Sequence, residues 1–219
     1  MILTEPVQPV ISKRIPPNLS TWQTIELSYA CAKYAVDNNI PGQFVECGVA
    51  AGNNLAAMCL AGRHGYGFDS FEGIPWAGRH DKEQPGIGKK DKKKYGLLET
   101  SGISSYSFDD VRSNFWRWGV SNYTLIPGWF QNTVKDWFKI STKSHTFDEI
   151  AVLRLDGDLY ESTFECLALF SYLSKGGILI IDDWQLPGCQ KAFADYFHSH
   201  PCPPEKIFDN GVTYWIKKQ

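Results

Sequence analysis

Residues 150–184 read IAVLRLDGDLYESTFECLALFSYLSKGGILIIDDW, and this stretch decides the fold. Its pattern predicts a strand, a helix and a second strand: an apolar run as far as Leu155, an amphipathic helix over Glu161 to Ser174, a turn at Gly176-Gly177, and another apolar run as far as Ile181. Two strands joined by one helix run parallel with a right-handed crossover, so their carboxyl ends lie at the same edge of the sheet. Open α/β folds bind their ligands at that edge.

Three aspartates follow these two predicted strands: Asp156 comes after the first, and Asp182 and Asp183 come after the second. Carboxylates gathered at one edge repel one another unless a cation neutralises them. No cysteine or histidine stands beside them, which favours Mg2+, Ca2+ or Mn2+ over zinc. The alternative is that each aspartate only forms a turn or caps a helix, as Asp158 would for the helix that follows it. Three aspartates on matched strand ends favour the cation site.

The composition is that of a globular domain without a nucleic-acid or membrane surface. The chain has 219 residues, 43% of them hydrophobic and 21% charged, and a net charge of −2, so we expect one domain over residues 1–219. This charge gives no general attraction to nucleic acid or to a membrane, and no apolar run approaches the ~20 residues of a membrane helix. Six cysteines occur, none in a C-x-x-C pair. Without a signal-peptide pattern near the start, they predict a reduced, cytoplasmic setting.

The first half of the chain carries the pattern of a nucleotide-binding loop. After a predicted Pro-rich arm and helix over residues 1–40, a strand over residues 43–49 leads into E-x-G-x-x-x-G, formed by Glu46, Gly48 and Gly52. Small residues between a strand and a helix let the backbone approach a nucleotide and direct helix N–H groups at it. Asp69 ends the next predicted strand, about twenty residues further on, where an acid accepts hydrogen bonds from both ribose hydroxyls. Each feature by itself also fits an ordinary tight turn.

Residues 70–107 form the least regular region and are predicted to be a lid over the cleft. The cluster Lys89 to Lys94 within it would then meet an acidic substrate or partner, and the alternative is a solvated surface run. Downstream, the pattern predicts helices over residues 108–119, 131–138 and 188–198, a strand over 123–126, and a hairpin around Asn210-Gly211. The sequence therefore predicts an α/β fold that ends in an antiparallel hairpin.

Five blocks, in chain order, carry a family resemblance: VECGVAAGNN, FDSFEGIP, LIPGWFQNTV, LRLDGDLYEST and GGILIIDDW. With these blocks, the nucleotide loop and the closing hairpin, the chain resembles the class I S-adenosylmethionine-dependent methyltransferases. It looks most like the macrocin O-methyltransferase (TylF-like) family, over about residues 43 to 195. The resemblance implies a Rossmann-like, mostly parallel sheet with helices on both faces and a C-terminal antiparallel hairpin.

The resemblance also implies an activity and a site. It implies methyl transfer from S-adenosylmethionine to a hydroxyl of a sugar or another vicinal-diol small molecule, with Mg2+ or another divalent cation, in a homo-oligomer. Asp156, Asp182 and Asp183 would hold the cation, and Asp156 would act as the general base. The cofactor would be bound by Glu46, Gly48, Val49, Ala50, Gly52, Asn53, Asp69, Ser70, Gly128 and Trp129.

Two other functions stay open on the residues alone. A Rossmann-type oxidoreductase with a nicotinamide cofactor fits Gly48 and Asp69, but the G-x-G-x-x-G fingerprint is absent. A non-catalytic binding module would use the Lys89 to Lys94 run on an acidic partner, but this function leaves the three aspartates unexplained.

Overall fold

A computed structural model describes residues 11, 14–17, 20–81, 93–94, 97–98, 101–137, 139, 149–200, 203–209 and 212–218. In chain order the elements are α1 (Trp22–Asp37), β1 (Gln43–Cys47), α2 (Asn53–Leu60), β2 (Gly65–Asp69), β3 (Lys93–Lys94), β4 (Leu97–Leu98), α3 (Phe108–Trp118), β5 (Tyr123–Pro127), α4 (Phe130–Thr133), β6 (Ile150–Leu155), α5 (Tyr160–Leu167), β7 (Leu173–Ile181), α6 (Pro187–Ser199), β8 (Glu205–Asp209) and β9 (Val212–Ile216). Two 3-10 turns, Val134–Asp136 and Ala168–Tyr172, follow α4 and α5.

Seven strands form one sheet in the order β5-β2-β1-β6-β7-β9-β8. The first five run parallel, whereas β9 runs antiparallel to both β7 and β8. The short pair β3 and β4 is antiparallel and separate from this sheet. The predicted mostly parallel α/β sheet with a closing antiparallel hairpin is therefore confirmed.

Helices cover both faces of the sheet, because the strand residues alternate between two hydrophobic cores. Val152 and Ile178 pack with residues of α1, α2 and α3 on one face. Leu153 and Leu179 pack with residues of α5 and α6 on the other face. All six residues of β6 are buried, as expected for a central parallel strand covered on both sides.

The segment between α5 and β7 differs from its prediction. The α-helix ends at Leu167, a 3-10 turn continues to Tyr172, and β7 already begins at Leu173. The Gly176-Gly177 pair, predicted to be a turn before the strand, lies inside it, where the register with β6 is irregular. The prediction of a turn was wrong because this pair is hydrogen-bonded to a distant segment of the chain. The Gly176 N–H donates to the carbonyl oxygen of Lys217, at 2.7 Å, and the Lys217 N–H donates to the carbonyl oxygen of Gly177.

Several predictions fall partly or wholly outside the described residues. Of the predicted lid, residues 70–81 and 101–107 and the backbones of β3 and β4 are described. Three predicted features lie outside the described residues: residues 1–10 of the N-terminal arm, most of the run Lys89 to Lys94, and the Asn210-Gly211 turn. Among described helices, none has the length and apolar character needed to cross a bilayer. Five of the six cysteines are described, and each of these five is buried.

Candidate active site

A cavity of about 540 Å³ opens at the carboxyl ends of the parallel strands. Its wall takes one or more residues from the end of each of β1, β2, β5, β6 and β7, for example Gly48, Asp69, Trp129, Asp156 and Asp182. This is the edge at which open α/β sheets bind ligands. The strand ends that the sequence singles out therefore meet at one cavity.

The loop after β1 is shaped by glycines and by one carboxylate. Gly48 has a φ of +90°, and a Cβ at this position would lie 1.8 Å from the backbone oxygen of Asp156. Only glycine allows this conformation together with this close approach. The Oδ2 atom of Asp69 accepts hydrogen bonds from the N–H groups of Val49, at 2.7 Å, and Ala50, at 3.0 Å. Asp69 thus fixes the loop while it also lines the cavity.

The residues predicted to bind the cofactor divide into two groups. Those that line the cavity are Gly48, Val49, Ala50, Asp69, Ser70 and Trp129. The other four, Glu46, Gly52, Asn53 and Gly128, do not line it. Glu46 is 1% exposed and bonds to Arg154, and a Cβ on Gly52 would lie 2.4 Å from the Phe115 ring. Direct contact of these four residues with a cofactor stays a prediction.

The start of α1 supplies cavity residues that the sequence analysis missed. Ser20, Thr21 and Thr24 line the cavity beside Asn54, the second residue of α2. The Asn54 amide donates to Ser20 Oγ at 2.9 Å and accepts from Ser28 Oγ at 3.2 Å, so the two helix starts are held together. Thr21 also caps α1. The sequence signals the cap but contains no signal that places it against the loop after β1.

Three carboxylates stand together at one side of the cavity. Asp156, Asp158 and Asp183 each offer one oxygen within 4.8 Å of the others. The Asp158 N–H donates to Asp183 Oδ2 at 3.1 Å, which ties the loop after β6 to the loop after β7. We call Asp156, Asp158 and Asp183 the acidic cluster. Asp158 does not cap α5, whose N-cap is Leu159, and it holds a φ of +59°; such backbone strain collects at functional sites.

The other predicted ligand, Asp182, faces a different partner. Its Oδ1 atom accepts a hydrogen bond from Nη2 of Arg154, a buried residue near the end of β6. Asp182 lines the cavity but is not a member of the acidic cluster. Its role as a metal ligand stays a prediction, whereas Asp158 joins the cluster without having been predicted as a ligand. The sequence signal for Asp158 was available, since it stands two residues after Asp156.

Burial makes the acidic cluster costly without a counter-charge. Burial, and then the nearby charges of Asp156 and Asp182, raise the pKa of Asp158 to about 7. Burial also raises the pKa of Asp183 well above its usual range, and the charges of Asp156 and Asp158 add to the effect. A divalent cation would relieve this repulsion, and a donor set of oxygens alone suits Mg2+, Mn2+ or Ca2+. The residues present therefore fit a hard cation.

Asp81 links the segment after β2 to the start of α5. This fully buried carboxylate accepts from the N–H groups of Tyr160, at 2.9 Å, and Gly78, at 3.3 Å. It thereby caps α5 from a position far away in the sequence, where Leu159 provides no side-chain cap. The cavity residue Trp76 lies in the segment that Asp81 ties down. Burial and the neighbouring Glu161 raise the pKa of Asp81 to about 6.

Asp81→Asn is expected to remove a pH dependence of stability. Because the folded protein binds the Asp81 proton more tightly than the unfolded chain, the free energy of unfolding should fall as pH rises from about 4 to about 6. The asparagine of the variant keeps an oxygen for the Tyr160 N–H but cannot ionise. This fall, on the order of 1 kcal/mol after allowance for solvent screening, should therefore disappear. Urea unfolding at several pH values measures it. Asp109→Asn, at a side chain that is 88% exposed, is the control, and an equal pH profile in both variants would contradict the assignment.

Both the sequence and the fold resemble those of known proteins. The family model of macrocin O-methyltransferase (TylF) matches residues 23–217. Demethyldecarbamoylnovobiocin O-methyltransferase of Streptomyces niveus is 32% identical over 197 residues, which are 84% of this chain and 70% of that protein. The solved structure of the O-methyltransferase NovP has a TM-score of 0.72 and 30% identity, and the match covers 93% of this chain and 83% of that one.

A second sequence relative carries a sugar in its name. The 8-demethyl-8-(2,3-dimethoxy-alpha-L-rhamnosyl)-tetracenomycin-C 4'-O-methyltransferase of Streptomyces olivaceus is 32% identical over 176 residues. The match covers 76% of this chain and 62% of that protein, so the chain spans less than two thirds of this relative's length. These matches favour methyl transfer over the nicotinamide-dependent and non-catalytic alternatives. The chain belongs to the macrocin O-methyltransferase (TylF) family and is an S-adenosylmethionine-dependent O-methyltransferase.

Proposed function

We propose that this enzyme holds a divalent cation on Asp156, Asp158 and Asp183 and methylates a hydroxyl of a sugar. The observation that carries the proposal is the approach of three carboxylate oxygens to within 4.8 Å of one another at the wall of the cavity. They come from the ends of two adjacent parallel strands, β6 and β7. When bound, a divalent cation lowers the pKa of an acceptor hydroxyl and fixes its direction.

The cofactor is proposed to lie along the loop after β1. The loop residues Gly48, Val49 and Ala50 let the protein backbone approach the cofactor closely, and Asp69 accepts a hydrogen bond from a ribose hydroxyl. The Asp69 carboxylate has room for this role because its two oxygens offer about four acceptor positions, of which three are used by the N–H groups of Val49, Ala50 and Phe71. Trp129, after β5, supplies an apolar wall.

The geometry favours Asp158 over Asp156 as the general base. Asp156 Oδ2 accepts a hydrogen bond from the Arg154 guanidinium at 2.8 Å, so this oxygen is already occupied by a permanent donor and is less available to the acceptor hydroxyl. Burial raises the pKa of Asp158 to about 7 in the absence of a cation. A bound cation would lower this pKa, so Asp158 would act as the base because the same cation also acidifies the acceptor hydroxyl. The acceptor oxygen loses its proton to Asp158 and takes the methyl group in line with the departing thioether, which leaves S-adenosylhomocysteine.

The acceptor is proposed to be a sugar because of one relative and two side chains. The relative from Streptomyces olivaceus is named for a methylated rhamnosyl group. Trp76, which is 43% exposed, and Glu161 both line this cavity. An indole face packs on the C–H face of a sugar ring, and a carboxylate accepts from its hydroxyls. The homo-oligomer and the cytoplasmic setting stay predictions.

The proposal is tested by binding first and by turnover second. Calorimetric titration of S-adenosylhomocysteine into the purified protein should show micromolar binding, both with EDTA and with Mg2+. Methyl transfer to a panel of glycosylated natural products should then require the cation and stop on addition of EDTA. Full turnover in EDTA would overturn the cation, and turnover only on acceptors without a sugar would overturn the sugar.

A further inference from the structure

Arg154 is a buried arginine at the centre of the active-site edge. It is the only charged residue of β6 and is 1% exposed. Its Nη1 atom donates to Glu46 Oε1 and to Asp156 Oδ2, both at 2.8 Å, and its Nη2 atom donates to Asp182 Oδ1. One guanidinium therefore joins carboxylates from three neighbouring strands.

The sheet register explains why these four side chains meet. Glu46 of β1 is the direct partner of Arg154, and Leu155 is the direct partner of Ile181 in β7. Asp156 and Asp182 are the next residues along those two strands, one position beyond the paired residues. Side chains two residues apart on a strand share a face, so Arg154 and Asp156 lie on the same side. Arg154 thus stands directly below the loops that carry the acidic cluster.

The arrangement is more than a neutral buried ion pair. Three carboxyl groups surround a single permanent positive charge. Burial raises the pKa of Glu46 to about 8, so Asp156 and Asp182 carry the excess of negative charge close to the acidic cluster. Among described residues, Arg154 Nε and Glu46 Oε2 have no hydrogen-bond partner, which is a cost that a purely structural network would avoid. The three hydrogen bonds that the guanidinium donates all go to carboxylates.

Resting on the proposed cation site, we propose that Arg154 is a positioning residue. It is the internal counter-ion of the acidic cluster: it holds Asp156 and Asp182 at the ends of adjacent strands and sets how tightly the cluster binds a divalent cation. Asp156 belongs to the acidic cluster and also accepts a hydrogen bond from Arg154. Removing the charge of Arg154 therefore changes the affinity of the cluster for a cation. The same bond fixes the direction of the Asp156 carboxylate.

The sign of the effect follows from charge. Arg154→Met keeps much of the buried volume but removes the positive charge, which leaves Asp156 and Asp182 without a counter-ion and Glu46 without its hydrogen-bond donor. The variant should lose stability when no cation is present, and it should bind Mg2+ and Mn2+ more tightly, by at least about tenfold, since the cation then supplies the missing charge. Arg154→Lys keeps the charge but not the planar fork. Its cation affinity should stay within about threefold of the wild type, while kcat falls at least about tenfold because Asp156 and Asp182 are no longer fixed.

The experiment measures cation affinity and melting temperature instead of activity alone. Mn2+ and Mg2+ are titrated calorimetrically into wild type, Arg154→Met and Arg154→Lys. Each melting temperature is recorded with EDTA and with cation at about tenfold its Kd. The expected result is a larger cation-induced rise in melting temperature for Arg154→Met than for the wild type. Equal cation affinity and an equal loss of melting temperature in both conditions would show a merely structural role and overturn the proposal.

A second pair of variants keeps the test decisive if Arg154→Met does not fold. Glu46→Gln removes an ionisable group that is 1% exposed, so the double variant Arg154→Met with Glu46→Gln buries one fewer carboxyl group without its guanidinium partner. Compared with Glu46→Gln alone, the double variant should show the same gain in cation affinity, and an unchanged affinity would overturn the proposal. A wild-type protein that binds neither Mn2+ nor Mg2+ would instead refute the proposed cation site itself.

Discussion

Asp158→Asn is expected to lower kcat by about 10²–10⁴-fold while S-adenosylhomocysteine still binds with wild-type affinity. Asparagine has the same shape as aspartate but cannot take a proton from the acceptor hydroxyl. It can still keep the backbone bond from residue 158 to Asp183 Oδ2, which the Asp158 N–H donates. The loop should therefore stay in place while the chemistry is lost. Turnover is measured at saturating Mg2+, because the substitution also removes one charge from the acidic cluster.

Two companion variants separate the base from the cation site. Asp183→Asn should raise the Kd for Mg2+ and lose activity that excess cation restores in part, whereas excess cation should not restore Asp158→Asn. Asp109→Asn, on the exposed face of α3, should keep wild-type turnover. Turnover of Asp158→Asn within threefold of the wild type would contradict the assignment and return the role of base to Asp156.

Gly48→Ala is expected to lower the free energy of unfolding by about 3 kcal/mol or more and to abolish cofactor binding. The new Cβ would lie 1.8 Å from the backbone oxygen of Asp156, and the backbone at Gly48 has a φ of +90°. Backbone hydrogen bonds hold both strand ends in place. The Gly48 N–H donates to the carbonyl oxygen of Phe68, and the Asp156 N–H donates to the carbonyl oxygen of Cys47. The clash must therefore displace the cofactor loop, Asp156 or both. Denaturant unfolding and S-adenosylhomocysteine titration measure the two effects.

Gly62→Ala is the matched control for Gly48→Ala. Gly62 has a φ of +108°, and a Cβ built there meets no heavy atom within 4 Å. Gly62→Ala should lower the free energy of unfolding by only about 1 kcal/mol, which is the cost of the backbone strain, and should leave cofactor binding unchanged. Equal losses of stability in the two variants would mean that strain alone, and not the approach to Asp156, makes glycine necessary at residue 48.

The fold was predictable from the sequence because its signals are local. Apolar runs of strand length, a glycine-containing loop and the closing hairpin each reveal themselves within a few residues, and the register then brings Gly48, Asp69 and Asp156 to one edge. The boundary at Gly176-Gly177 was missed for the opposite reason. Its backbone groups pair with Lys217, a residue near the end of the chain, and no local pattern announces such a partner.

The active site was predictable only in outline. Arg154 is one charged residue in an apolar run, and its position beside Glu46 depends on the strand register. Asp81 reaches the start of α5 from a segment whose pattern indicates only a loop. Asp158 has a local signal, but the same signal indicates a helix cap. In each case the type of residue can be read from the sequence, while the partner comes from contacts between distant parts of the chain.

The most direct test of the cation site is an anomalous diffraction experiment on crystals grown with S-adenosylhomocysteine and Mn2+. We predict one strong anomalous peak bounded by the carboxylates of Asp156, Asp158 and Asp183, at the wall of the same cavity that holds the cofactor product. A fully occupied cofactor site with no anomalous peak at these residues, at a Mn2+ concentration that supports turnover, would contradict the account.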